Sequence, residues 1–218
     1  MLRAYRQCED AAKRMPHREP NPNAWARELA TAVEYRPRWL TPAQAEGIQQ
    51  QLVAELPWCV HGVRLFGREQ AAPRLSSWHG DADARYRYSG IVREPQPWTP
   101  TLSALRRRLE DELAQAFNSV LANRYRHGQD SMGWHADDEP ELGPEPLIAS
   151  LSFGASRRFL LKPKRGGRSL GIELEHGSLL LMRGHCQRDY LHALPKTARP
   201  VAERINLTFR RIAAKTAG

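Results

Sequence analysis

The spacing of apolar and polar positions changes character along the chain. Residues 1–24 are polar and broken by Pro16, Pro20 and Pro22, which predicts a weakly ordered extension. Ala24 to Glu34 has the spacing of a short helix, and Tyr35 to Leu40 reads as extended. Thr41-Pro42 is a helix start, a capping hydroxyl followed by proline at the first helical position, and Ile48, Leu52, Val53 and Leu56 form the stripe of a helix from Pro42 to about Leu56. A second helix, capped by Thr99 or Thr101 and ending near Phe117, carries Leu102, Leu105, Leu109, Leu113 and Phe117 on one side; its Arg106-Arg107-Arg108 run reads as a solvated face. Between the two helices, from Trp58 to Gly90, short runs rich in aromatics alternate with turn residues and predict hairpins.

From Ser119 the pattern is β almost to the end. Strands are expected at Val120–Tyr125, Leu147–Phe153, Arg158–Lys162, Ile172–Leu174, Ser178–Met182, Tyr190–Leu194 and Arg204–Ile212. Two helices followed by many short strands predict an α+β domain whose helices buttress a sandwich or jelly roll.

Two strands carry chemistry. In Glu203 to Arg211, Arg204, Asn206, Thr208 and Arg210 share one face while Ile205, Leu207 and Phe209 share the other. Two guanidiniums, an amide and a hydroxyl suit a small dianion, although the polar face of a strand more often meets water. In Ser131 to Glu139, an extended backbone directs His135 and Asp137 to the same side, two members of a two-histidine, one-carboxylate set for Fe(II) with open coordination positions. Spacing leaves the second histidine open among His176, His185 and His192. A ligand held rigidly in a strand favours His192, with His176 the alternative. Asn123 and Tyr125 share a strand face just upstream, where satisfying core hydrogen bonds is the plainer role.

Composition narrows the partners. The formal net charge of +9 favours a polyanion such as nucleic acid, and the absence of any apolar run of membrane length argues against a membrane span. Cys8, Cys59 and Cys186 are far apart and odd in number, so neither a zinc cluster nor a disulfide framework is indicated. The N-terminus lacks the apolar centre of a signal peptide, and a cytoplasmic location is expected.

With Asn123-Arg-Tyr125, His135-x-Asp137-Asp138-Glu139, Ile148 to Gly154, His176-Gly-Ser-Leu-Leu, His192-Ala-Leu-Pro195 and Arg204 to Arg210 in one order, the sequence resembles the AlkB family of Fe(II)- and 2-oxoglutarate-dependent dioxygenases, most closely its double-stranded-DNA branch. The resemblance spans roughly Pro37 to Ile212. It implies a double-stranded β-helix (jelly roll) core over 37–213, buttressed by N-terminal helices, with nucleotide-recognition hairpins at about 58–90, an extension at 1–36 and a tail at 214–218.

The resemblance also assigns roles. His135, Asp137 and His192 become iron ligands, and Asn123, Tyr125, Arg204, Asn206, Thr208 and Arg210 go to 2-oxoglutarate, with Arg204 on the distal carboxylate. Phe66 becomes a wedge entering the duplex, and Tyr86 and Tyr88 line a base pocket. Glu139 meets the exocyclic amine, and Arg74 is expected to pair with Asp138. Arg157, Arg158, Lys162, Lys164, Arg165 and Arg168, around Gly166-Gly167, are expected to form a basic loop over phosphates, joined by Lys196 and Arg199. The implied activity is oxidative demethylation of bases such as 1-methyladenine and 3-methylcytosine in double-stranded DNA by a monomer, with Fe(II), 2-oxoglutarate and O2 consumed to give succinate, CO2 and formaldehyde. The same chemistry on RNA is the alternative, and a nucleic-acid-binding module with a vestigial metal site is a third reading.

Overall fold

The computed structural model describes residues 29–65, 68–84, 86–88 and 91–213. A helical turn over 29–32 leads into β1 (Val33–Arg36), α1 (Pro42–Glu55), β2 (Cys59–Leu65), β3 (Arg68–Gly80), β4 (Tyr86–Tyr88) and β5 (Ile91–Arg93). Then come α2 (Pro100–Leu113), β6 (Ser119–Tyr125), β7 (Met132–His135), a 3-10 turn (Pro140–Leu142), β8 (Ile148–Gly154), β9 (Arg157–Pro163), β10 (Leu170–Leu174), β11 (Ser178–Met182), the single turn α3 (Cys186–Asp189), β12 (Tyr190–Leu194) and β13 (Arg204–Arg210). Among the described residues, no helix is long and apolar enough to cross a membrane.

Both long helices begin where the sequence says they should. Thr41 and Gln44 form a reciprocal capping box at α1, and Thr99 accepts from the Leu102 amide at α2, each ahead of a proline whose missing N–H costs nothing there. The second helix ends at Ala114 in the left-handed region (φ 50), so Phe117 enters the core from the following loop and not from the helix. Two of its arginines are engaged. Arg106 pairs with Asp81 at 2.8 Å and Glu110 at 3.0 Å, and Arg108 lies 4.1 Å above the Trp39 ring, so the expected solvated face fastens the helix to its neighbours.

The strands form a major antiparallel sheet in the order β1-β11-β8-β13-β6-β3-β2, a minor sheet β10-β9-β12-β7 and the small β4-β5 hairpin. Side-chain alternation divides the major sheet into two faces. Val120, Ala122, Ala149, Leu151, Phe153, Leu179, Leu181, Ile205, Leu207 and Phe209 pack on one side against Leu52 of α1, Leu56 just after it, and Leu102, Leu105 and Leu109 of α2. The other face meets the minor sheet, where Ile148, Leu161, Leu174, Leu180, Met182 and Tyr190 build a second core. This is the sheet-on-sheet architecture the sequence predicted, with helices covering one side.

Two boundaries differ from expectation. Val33 to Arg36 is a strand of the major sheet, paired residue for residue with Leu179 to Met182, so the domain already includes residues assigned to the extension. Val33 and Tyr35 pack against the second core and alternate with Glu34 and Arg36, but a run of four residues that adjoins a helix-like segment is too short for the period to stand out. In the region where hairpins are expected, β2 and β3 pair antiparallel, and β3, longer than the short runs of the sequence suggest, continues from Arg68 to Gly80 to pair with β6 as well.

His79, in β3, is buried, with Nδ1 2.7 Å from the Pro97 carbonyl and Nε2 2.8 Å from the Ser77 hydroxyl. The carbonyl can only accept, so Nδ1 carries the proton and Nε2 accepts from Ser77. Burial holds the imidazole below its ordinary value of 6.5, the Pro97 carbonyl only partly offsetting it. The neutral ring therefore favours the fold above that value, and the unfolded chain takes up the proton first as the medium is acidified. The urea midpoint is expected to fall between about pH 7.5 and about pH 5.5, and to fall less in His79→Gln. Equal pH slopes for the two proteins would remove His79 from this role.

Candidate active site

The space between the sheets is a cavity of about 130 Å³. Its floor is the strand pattern singled out in the sequence. Arg204, Asn206, Thr208 and Arg210 point into it from β13, beside Leu121, Asn123 and Tyr125 from β6 and Ser150 from β8. Register aligns these into rows: Tyr125 opposite Arg204, Asn123 opposite Asn206 opposite Ser152, and Leu121 opposite Thr208 opposite Ser150. The polar face of β13 thus faces inward, which a one-strand pattern cannot distinguish from a face turned to water.

The roof is the minor sheet. His135 on β7 and His192 on β12 are register partners, and their rings meet edge-on with centroids 4.2 Å apart. Asp137 follows just beyond β7, and ligand atoms of all three residues lie within 4.8 Å of one another. His135 Nδ1 is 2.8 Å from the Gly133 carbonyl, so Nδ1 carries the proton and Nε2 keeps its lone pair. Asp137 has its backbone N–H held by the buried Gln187 side chain at 2.9 Å, while its Oδ2 accepts from Arg210 Nη2 at 2.7 Å and Nε at 3.2 Å. Its Oδ1 is turned toward His135 Nε2, at 3.9 Å.

Electrostatics set the protonation of these groups. Burial raises the Asp137 carboxyl, but the Arg210 guanidinium, by charge and by hydrogen bond, overcomes it and holds the acid well below the usual carboxylate range. Burial, aided by His135, pushes the His192 imidazole down to about 3 despite the opposing pull of Asp137. At neutral pH the set therefore contains an ionised carboxylate and a neutral His192, the forms in which both bind metals. Arg204 is different. Only 2% exposed, it has its pKa pushed down to about 10 by burial, Tyr125 partly compensating, and it still carries its charge at neutral pH. Nη2 donates to the Ser152 hydroxyl at 3.0 Å and the guanidinium lies 5.3 Å from the Tyr125 ring centre. Its Nε has no partner, and no ion pair among the described residues includes it.

Other expected site residues fall elsewhere. Arg74 does not pair with Asp138: it is buried against Asn123 Oδ1 at 3.0 Å, while Asp138 is exposed and bound to Lys164 at 2.6 Å. The adjoining strand β6 gives Arg74 a buried acceptor, and the exposed acid takes a flexible lysine. Arg157 is also not part of a surface loop. It is buried and donates to the carbonyls of Asp130 and Pro195 at 3.0 and 2.7 Å, tying the β6–β7 connection to the end of β12. Lys164, Arg165 and Arg168 are exposed around Gly166 and Gly167 as expected. Glu139 lines the cavity, with a buried Oε2 that has no partner. His176 accepts from the Gly154 N–H at 2.8 Å in a turn remote from the His135 group. Phe66 lies outside the described residues, and of Tyr86 and Tyr88 only the backbone of β4 is described.

The sequence reading missed Ser150, Ser152 and Gln187. The two serines occupy alternate positions in Ile-Ala-Ser-Leu-Ser-Phe-Gly, and that period was the available signal. Gln187 had none, because it acts from a single helical turn that no pattern announces.

A jelly roll with a His-Asp-His group at one strand pair and a buried cation at the other side of its cavity defines a class of metal-dependent oxygenase. The model of the 2OG-Fe(II) oxygenase superfamily matches residues 32–210. Human alpha-ketoglutarate-dependent dioxygenase alkB homolog 3 is 41% identical over 187 residues, covering 81% of this chain and 64% of its own length. DNA oxidative demethylase ALKBH2 of Mus musculus is 39% identical over 181 residues, covering 78% of this chain and 76% of its own. The solved structure of OsALKBH1 shares the fold, with a TM-score of 0.59 at 17% identity over 83% of this chain and 98% of that one. The chain belongs to the 2OG-Fe(II) oxygenase superfamily and, within it, to the AlkB family. It spans about 64% of the length of the first of these relatives.

Membership implies Fe(II), 2-oxoglutarate and O2, and the residues fit them. Two imidazoles and one carboxylate are the donor set of a facial triad, and a buried guanidinium with an unused N–H is complementary to a carboxylate in the same cavity. The electrostatic assignment is open to direct measurement. In metal-free protein, Arg210→Leu removes the cation that outweighs burial, so the Asp137 carboxyl should rise above its ordinary value near 3.8 in a carbon-13 titration. A carboxyl that stays low would show that another group sets its charge.

Proposed function

We propose that this protein oxidatively demethylates N-alkylated bases in DNA, consuming 2-oxoglutarate and O2 and releasing succinate, CO2 and formaldehyde. The observation that carries the reading is Arg204, a charged, buried guanidinium with an unpartnered Nε in the cavity that His135, Asp137 and His192 also line. Leaving such a cation buried without a counter-ion costs several kcal/mol, roughly, so the site is built for a dianion to enter. The family resemblance and a relative named DNA oxidative demethylase support the rest.

In this reading His135, Asp137 and His192 hold Fe(II), which with its co-substrates supplies the oxidation of an N-methyl carbon. Arg204 binds the distal carboxylate of 2-oxoglutarate, with Ser152 fixing the guanidinium plane. Asn206, clamped by Ser150 and Leu151 and in turn accepting from Thr208, keeps the floor rigid, and Asn123 and Tyr125 close its flank. Arg210 keeps Asp137 ionised and turned with one oxygen free. A methylated base carries positive charge, which Asp138 and Glu139 favour, and the unused Glu139 oxygen is placed to accept from an exocyclic amine. Phe66 is the proposed wedge for duplex DNA, Tyr86 and Tyr88 the walls of the base pocket, and a lesion that cannot pair is cheaper to flip than a sound base.

The test is a panel of 1-methyladenine and 3-methylcytosine oligonucleotides, as duplex DNA, single-stranded DNA and RNA, with formaldehyde and succinate both measured. Turnover should vanish in His135→Ala. Arg204→Leu should raise the KM for 2-oxoglutarate about tenfold or more, the scale of a charge-assisted hydrogen bond. Phe66→Ala should weaken repair of duplexes more than of single strands. Activity that survives His135→Ala would sink the iron assignment, and turnover confined to RNA would replace DNA as the substrate.

The exposed Lys164, Arg165 and Arg168 are proposed to follow the phosphates. Replacing all three with alanine should reduce the slope of log affinity against log salt by about 0.9 for each duplex phosphate no longer neutralised. An unchanged slope would mean that other residues meet the backbone.

A further inference from the structure

The register of β7 against β12 shifts between Met132 and His135, both of which line the cavity, and Trp134, the residue next to His135, does not line it. Trp134 is 40% exposed, one of three large apolar side chains left in water among the described residues. β7 is also the last strand of its sheet. Nothing in the fold requires an indole here, since a polar side chain would stand on the outer face at less cost. Across β12, the side chains of β9 alternate: Phe159 and Leu161 face inward, so Lys162 stands outside, its Nζ 4.2 Å from the Trp134 ring centre. Two residues further along, Lys164 reaches Asp138, and Arg158 crosses the open space left by Gly171 on the adjoining strand. The outer face of the minor sheet thus carries an exposed aromatic ring among cations, one residue from a wall of the catalytic cavity.

We propose that Trp134 and Lys162 form a subsite for an unpaired nucleotide flanking the base in the cavity, the indole stacking on its base and the lysine meeting its phosphate. The assignment rests on the nucleic-acid reading above and specifies where a single strand runs. The positive charge of this face complements a phosphate chain, and stacking on an indole accepts any base. The cation–π contact that now covers the ring is weak at an exposed position, so Lys162 leaves it readily for a phosphate. A paired base in a duplex is already stacked and has no use for the platform, which makes the subsite a device for single strands.

The experiment is fluorescence anisotropy of a labelled, unmethylated oligothymidylate on the full chain, which needs no turnover. Trp134→Leu should raise Kd about fivefold or more, Trp134→Phe, which restores an aromatic face, should return most of the affinity, and Lys162→Met should lower the salt slope by about 0.7. Affinity for a duplex of matching sequence should be the same in Trp134→Leu as in the parent. Parental affinity in Trp134→Leu, or a loss in Trp134→Phe as large as in Trp134→Leu, would overturn the subsite while leaving the demethylase reading intact. If the parent protein bound no oligonucleotide at all, the nucleic-acid reading itself would fall.

Discussion

The ion pair between Arg210 and Asp137 is the constraint around which the interior is arranged. It crosses from the major sheet to the minor one, and each partner is costly without the other: an unpaired guanidinium or an unpaired carboxylate at that depth would push the sheets apart or change its protonation. With both in place, one carboxylate oxygen is consumed by the arginine and the other is left aimed at the histidines. The Gln187 side chain fixes the peptide of the same aspartate from a third direction. Position, charge and orientation of a single carboxylate are thus set by three separate elements.

Arg204, six residues earlier on the same strand, shows the opposite solution to the same problem. It is as deeply buried, yet its neighbours are a serine hydroxyl and a tyrosine ring in place of an acid. The two arginines of β13 therefore divide the work of the cavity, one neutralised within the chain to shape a ligand and one left charged toward whatever enters. The opposite face of that strand, with Ile205, Leu207 and Phe209 locked against the helices, prevents β13 from slipping, since a one-residue slip would exchange the two faces entirely.

Much of this was legible in the sequence where a period is strict. The helix starts at Thr41 and Thr99, the strand Arg204 to Arg210 and the pair His135 and Asp137 each follow from local spacing. What local spacing lacked was the third dimension: which side of β13 was inside, and which histidine lay across from His135. The first depends on a second sheet closing over a polar face, and the second on a register between strands more than fifty residues apart in the chain, so family order and not periodicity singled out His192. Arg74, Arg157 and Asp138 misled for a related reason. Arg157 looks like part of an exposed basic run yet is buried, and the partners of Arg74 and Asp138, Asn123 on the adjoining strand and Lys164 on a loop, are set by the fold and not by the sequence around them. Val33 to Arg36 escaped because four alternating residues, read partly as the end of a helix, are too short a run for the period to stand out.

The pairing of β7 with β12 rests on two register positions, one of which is His135 opposite His192, and beyond β7 that sheet ends. An ion that drew both imidazoles together would fasten the terminal strand to its neighbour by a route other than backbone hydrogen bonds. A metal held there would then also be a clasp. Its occupancy would govern how firmly the sheet's open margin is held, and with it how readily that margin peels away or offers its free amides and carbonyls to another chain.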